Sequence, residues 1–131
     1  MTADVGTLQR LPKIIPEGVA RELAYTGRRM TAQRAMEVGL VNEVFSSHEV
    51  MVDAVLDIAA EIATKSPLAI WGTKESINYT RDHSVADSLN FIATWQAGMY
   101  QPKDMASVFE AQSNREEPEF DDLPPARKGL G

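Results

Sequence analysis

The chain contains no cysteine, which removes disulfide stapling, thiolate metal ligation and thiol nucleophiles together. Histidine is scarce as well. His48 and His83 are the only two, each in a polar helix-start setting with no second ligand nearby, so no metal site is expected. Long apolar runs are missing, and the first residues lack the charged-then-apolar order of a secretory signal, which argues against a membrane span or export. Basic charge is in deficit, with 13 Lys and Arg against 19 Asp and Glu and a net charge of -6 at pH 7. A broad nucleic-acid surface needs clustered cations, so nucleic acid is not an expected partner. No Gly-x-Ser-x-Gly elbow, phosphate-cradling glycine loop or dinucleotide fingerprint is present. These absences describe a water-soluble intracellular protein, with the cytoplasm as the expected location.

What is present describes one modest folded domain. At 131 residues, with 44% apolar and 24% charged residues, the chain could hide roughly two-thirds of its unfolded surface. Helix punctuation dominates the pattern. Thr2 or Asp4 can cap a short helix through Leu11, which Pro12 then stops. Pro16 opens a second helix ending near Gly27, and Thr31 opens a third through Met36, with Gly39 suited to the left-handed position beyond it. Leu40 to Phe45 alternates well enough for one short strand, the only candidate in the chain.

Ser46 with Glu49 reads as a capping box for a helix to about Lys65, with Met51, Val55, Ile58 and Ile62 on one face. Glu49, Asp53, Asp57 and Glu61 line another face. Carboxylates spaced along one straight helix do not converge on an ion, so this row is expected to be a solvated face. Ser66 and Pro67 start a helix to about Arg81, and Ser84 with Asp87 starts another whose Leu89, Ile92, Trp95 and Met99 share a side. Both tryptophans are expected in packing. Pro102 and Asp104 begin a last helix to about Gln112. The fold class is mainly α with at most one short strand, residues 1–120 forming a helical region and residues 121–131 a polar, flexible tail. Thr31 to Phe45 superficially resembles a helix-turn-helix. The stretch after Gly39 is too short and too β-prone for a recognition helix, and it carries no Lys or Arg.

The chemically informative stretch is Ala3-Asp4-Val5-Gly6-Thr7-Leu8-Gln9-Arg10-Leu11-Pro12. Taken alone, a carboxylate there is a helix cap held by unpaired N–H groups and the helix dipole. The segment does not stand alone. Gly6-Thr7-Leu8-Gln9-Arg10-Leu11 resembles the Gly-rich turn and Thr-Gln-Arg-Leu helix of the enoyl-CoA hydratase/isomerase (crotonase) superfamily. The resemblance continues through Thr26-Gly27, Ala35 to Val41, Ser66-Pro67-Leu68-Ala69 with Lys74, and Asn114-Arg115-Glu116-Glu117-Pro118-Glu119-Phe120, in unbroken order. Within that superfamily, Asp4 with its following residues and Tyr79-Thr80-Arg81-Asp82-His83-Ser84-Val85 are most similar to the dienoyl-CoA isomerases. Many hydratases carry glycine where Asp4 stands.

The resemblance implies the C-terminal helical portion of a crotonase-type α/β fold and an acyl-CoA double-bond isomerase acting in fatty acid β-oxidation. Asp4 would be one of two acid/base carboxylates, with no cofactor beyond the CoA carried by the substrate. The family takes its oxyanion donors and partner acid from a part that would precede Met1, so the chain is expected to be an incomplete fragment. Phe109 matches an aromatic that the family places near the CoA adenine. Gln112 and Ser113 replace the basic residues common just after it. A homo-oligomer, trimer or hexamer as in the family, is the expected partner besides acyl-CoA. Two other readings remain open: an enoyl-CoA hydratase, and a non-catalytic helical oligomerisation module.

Overall fold

The computed structural model describes residue 3 and residues 5–123. Contacts divide the chain into two compact units, Met1–Ala54 and Val55–Gly131. In the first unit, Val5 and Gly6 adopt successive positive φ angles of 54° and 82°, and α1 (Thr7–Arg10) begins directly after them. The expected caps, Thr2 and Asp4, lie outside the described residues. Gly6 occupies the cap position without any side-chain hydrogen bond, and its carbonyl accepts the Arg10 N–H at 3.1 Å. Pro12 sits inside a 3-10 turn, Leu11–Lys13, which tightens the chain into α2 (Glu17–Thr26). Pro16 is the residue just before α2 rather than its first turn, and Gly27 closes the helix at φ 63°. Ile15 and Ala20, each 3% exposed, form the buried part of this corner.

The hydroxyl of Thr31 accepts the Arg34 N–H at 3.2 Å and so fixes the start of α3 (Ala32–Glu37). Gly39, at φ 79°, reverses the chain. The Leu40 N–H then donates to the Ala35 carbonyl at 2.8 Å, with the Val41 N–H on the same oxygen at 3.4 Å. This explains why the short strand expected over Leu40 to Phe45 does not form. Its first two N–H groups complete a helix C-terminus, and a strand needs such groups for a ladder. No strand occurs among the described residues.

α4 (His48–Ala63) runs from the end of the first unit into the second. Ser47, not Ser46, caps it, its hydroxyl accepting the Val50 N–H at 3.3 Å. The Glu49 carboxylate accepts from its own backbone N–H and from the Ser47 hydroxyl, which together hold its pKa below the ordinary glutamate value. The apolar face of this helix is open. Met51, Val55, Ile58 and Ile62 are 39–53% exposed. Glu49, Asp53, Asp57 and Glu61 are exposed, as expected for a solvated row.

The second unit is built on the pairing of α5 (Pro67–Thr80) with α6 (Val85–Met99). Ser66 caps α5 through the Ala69 N–H at 3.3 Å. Ser84 caps α6 twice over, accepting the Asp87 N–H at 3.1 Å and donating to the Asp87 carboxylate at 2.6 Å. The helices meet where Gly72 is buried against Trp95, whose indole Nε1 lies 2.5 Å from where a β-carbon on residue 72 would be. Aromatic contacts extend from there. Trp71 meets Trp95 edge-on at 4.9 Å, Phe91 lies 6.3 Å from Trp95, and Tyr79 stacks between Phe91 at 4.4 Å and His83 at 3.7 Å. Phe91 therefore joins the inward stripe with Ile92, Trp95 and Met99, while Leu89, expected to share that side, is 64% exposed. The stack with Tyr79 turns the stripe towards residue 91.

α7 (Pro102–Asn114) ends at Arg115, which takes a left-handed φ of 60° and reverses the chain. The following residues return along the helix. The Ser107 hydroxyl donates to the Glu119 carbonyl at 2.7 Å, Lys103 pairs with Asp121 at 2.5 Å, and Pro118 and Phe120 are half-buried.

Two outcomes follow from these caps and contacts. Gly72→Ala gains about 1 kcal/mol of helix propensity, but it drives a methyl group into an indole already wedged against Trp71 and Phe91. The clash wins, with a net loss of about 1–3 kcal/mol, read as a lower denaturant midpoint and a changed tryptophan emission. For Glu49, the lowered folded pKa means that its stabilisation is complete above pH 4.5 and lost as pH falls through the folded value. An NMR titration should place its midpoint below 4.5, and Ser47→Ala should move it upward.

Candidate functional site

Asp4, the carboxylate singled out by the sequence, lies outside the described residues. What the structure does give is the turn that follows it. Val5 is β-branched and adopts φ 54°, a region where the branched side chain crowds the backbone at a cost of about 1–3 kcal/mol. It is also 91% exposed, so no packing of its own side chain offsets that cost. Gly6 continues the left-handed path without strain, and α1 starts at once. Nothing in the residue types forecasts this. The sequence places Val5 and Gly6 in the first turn of a helix capped at Thr2 or Asp4, whereas the backbone there is a left-handed pair.

Beside α1, a small cleft of about 270 Å³ is lined by Leu8, Leu11 and Pro12 on one side and by Ala20, Arg21 and Tyr25 of α2 on another. Its polar edge is a ladder along α2. Arg21 Nε donates to Glu17 at 2.8 Å and Arg21 Nη1 donates to the Tyr25 hydroxyl at 2.9 Å. The bond to Glu17 first, and then that to Tyr25, raises the pKa of the guanidinium above its ordinary value. The ladder is solvent-exposed and holds side-chain geometry more than it stabilises the fold. The cleft is lined by apolar side chains and edged by the Glu17–Arg21 ion pair.

The second unit carries a larger groove of about 890 Å³ between α5, α6 and α7. Ile92, Trp95, Met99, Met105, Val108 and Phe120 supply its apolar surface. Ser66 and Asp104 sit together on its wall, where the buried Ser66 hydroxyl donates to the Asp104 carboxylate while accepting the Ala69 N–H. The serine is therefore committed to joining the starts of α5 and α7. It has no histidine beside it and does not have the surroundings of a nucleophile. This serine–aspartate link escaped the sequence reading, because a cap and a residue 38 positions later share no local pattern.

Phe109 on α7 is 62% exposed and does not line the groove. His83 is held by its stack on Tyr79 and by donation from Nδ1 to the Tyr79 carbonyl at 2.7 Å. His48 is the first residue of α4. Among the described residues no three His, Cys, Asp or Glu side chains cluster as a metal site, and no helix is long and apolar enough to cross a membrane.

Comparison with known proteins places these features in context. Residues 1–123 match the family model described as enoyl-CoA hydratase/isomerase. A mitochondrial Delta(3,5)-Delta(2,4)-dienoyl-CoA isomerase of Pongo abelii is 52% identical over 118 residues, covering 88% of this chain and 36% of that protein. A peroxisomal Delta(3,5)-Delta(2,4)-dienoyl-CoA isomerase of Arabidopsis thaliana is 41% identical over 120 residues, covering 92% of this chain and 43% of that one. Among solved structures, an enoyl-CoA hydratase from Bacillus anthracis superposes with a TM-score of 0.85 at 32% identity, over 92% of this chain and 46% of that chain. The chain thus spans about a third to a half of the relatives it matches. The similarity to folds of this kind agrees with the helical portion expected from the sequence.

The same comparison corrects the expected cytoplasmic location. The two dienoyl-CoA isomerases named above are a mitochondrial and a peroxisomal protein. Lack of cysteine and of a secretory-type start cannot separate cytosol from an organelle interior, since neither feature reports on organelle import. For the exposed aromatic, a stability outcome follows. Phe109→Ala should leave the unfolding midpoint of the chain within about 0.5 kcal/mol of its starting value. A loss of several kcal/mol in a denaturant titration would mean that Phe109 is buried in solution.

Proposed function

Because the chain belongs to the enoyl-CoA hydratase/isomerase family, we propose that the whole protein is an acyl-CoA double-bond isomerase of the dienoyl-CoA type, with Asp4 as one of its two proton-handling carboxylates. The observation that carries the reading is the 52% identity to a dienoyl-CoA isomerase across 118 residues, beside a family match that runs over residues 1–123 and so through the Asp4 segment. The substrate is an unsaturated fatty acyl thioester. Its thioester acidifies the adjacent C–H, so one carboxylate removes that proton and leaves an enolate conjugated with both double bonds. A second carboxylic acid then protonates the far end of the conjugated system. One proton leaves, one arrives, and both double bonds shift towards the thioester. No oxidant or reductant enters, so the reaction needs no cofactor besides the CoA of the substrate. The developing enolate oxygen requires backbone N–H donors, and burial must raise at least one carboxylate pKa towards neutrality.

A homo-oligomer, trimer or hexamer, accompanies this reading. Support comes from Val55, Leu56, Ile58 and Ile62 on α4, which are 48–60% exposed and form apolar surface of the kind that subunit contacts cover. Hydration of an enoyl-CoA is the second reading, favoured by the 0.85 TM-score to a solved hydratase. The two chemistries differ in their use of water.

The test compares a 3,5-dienoyl-CoA with a 2-enoyl-CoA on the intact protein. Isomerisation of the first is expected, with Asp4→Asn lowering kcat by roughly a hundredfold or more and leaving the unfolding temperature unchanged. Turnover of the enoyl-CoA alone would assign the protein to hydration.

A further inference from the structure

We propose that Thr31 is a phosphoryl-acceptor site, read by protein kinases that select arginine two and three residues before the hydroxyl. The inference goes beyond the isomerase reading and does not rest on it. Its starting point is the run Arg28-Arg29-Met30-Thr31, which places two guanidinium groups just ahead of a hydroxyl. No other serine or threonine in the chain has arginine at both of those positions. The backbone presents the run in a form that a kinase cleft can take. Residues 28–31 belong to no helix or strand, Thr31 is extended at φ -74° and ψ 155°, and Arg28, Arg29 and Thr31 are exposed. Such a segment enters an enzyme cleft without a helix having to unwind around the arginines.

The groups involved are available. No hydrogen bond or ion pair holds Arg29 among the described residues. Arg28 meets Glu22 at 3.3 Å with both side chains more than 60% exposed, a pair weakened by solvent and open to displacement by an acidic kinase surface. The Thr31 oxygen accepts the Arg34 N–H at 3.2 Å, while its own proton is donated to no described residue. Ser84 is the instructive contrast. Arg81 stands three residues before it, but Asp82 occupies the second position, and its hydroxyl already donates to the Asp87 carboxylate at 2.6 Å. In the transfer, the kinase base takes the Thr31 proton, Oγ1 bonds to the γ-phosphorus of ATP, the bond from that phosphorus to the bridging oxygen breaks, and ADP leaves. The phosphate brings a charge of about -1.5 to -2 at neutral pH. Glu22 and Glu37 balance Arg28 and Arg34, so the loop shows the positive charge of Arg29 until the phosphate reverses its sign.

The experiment treats the intact folded protein with magnesium ATP and a purified arginine-directed serine/threonine kinase, and locates phosphate by peptide mass spectrometry. Phosphate on Thr31 is expected, with Ser84 unmodified. Arg28→Ala combined with Arg29→Ala should slow modification of Thr31 by roughly tenfold or more, because the kinase reads their charge. Thr31→Ala should abolish the signal, whereas Thr31→Ser, which keeps the helix cap, should remain a substrate. No phosphate on Thr31 in the folded protein, a rate indifferent to both arginines, or modification only after heat denaturation would overturn the proposal. Dienoyl-CoA turnover by the unmodified protein is a separate measurement, and its failure removes the isomerase reading while leaving the Thr31 site standing.

Discussion

The second unit depends on a missing methyl group. At position 72 the absence of a β-carbon lets the Trp95 indole lie directly on the backbone of α5, closer than any other side chain there would permit. With that contact made, Trp71 can reach Trp95 edge-on, and the rings of Phe91, Tyr79 and His83 fall into line towards the turn between the helices. Edge-to-face and offset ring contacts each contribute about 0.5–1.5 kcal/mol beyond the area they bury. Few large side chains are otherwise well buried in this unit, so the aromatic row carries much of the α5–α6 pairing. The groove takes its shape from the same contact, because Trp95 and Met99 form its floor from the inner side of α6.

Helix starts were the most legible part of the sequence, for a local reason. Thr31, Ser66 and Ser84 each cap the helix they announce, since a hydroxyl needs only an N–H three residues ahead. Ser46 and Ser47 show the limit of that signal. Both can cap, and the pattern with Glu49 favoured the first while the backbone uses the second. Where the outcome depended on distant partners, the sequence was less informative. Alternation from Leu40 to Phe45 looks like a strand until Ala35 takes the first two N–H groups. Helical periodicity alone could not choose between Leu89 and Phe91, a choice settled by a ring on α5.

The candidate site divides in a similar way. Resemblance to a family pointed to Asp4 because residue types in order survive translation into text. The conformation of Val5 does not. A backbone angle leaves no trace in the letters around it, and a β-branched residue is among the last that propensity would place there. Ser66 and Asp104 were each read correctly as helix-start residues. Their bond to one another was not, because it joins two helices whose order in the chain says nothing of their proximity.

The return of the chain along α7 has a mechanical consequence. Glu116, Glu117, Pro118 and Phe120 form one bank of the groove, and that bank is moored to α7 through Ser107 and through an ion pair between Lys103 and Asp121 whose side chains are both more than 70% exposed. Exposed pairs weaken as ions crowd around them, with a screening length near 8 Å at physiological ionic strength. One mooring thus responds to salt and the other, a hydroxyl on a carbonyl, does not.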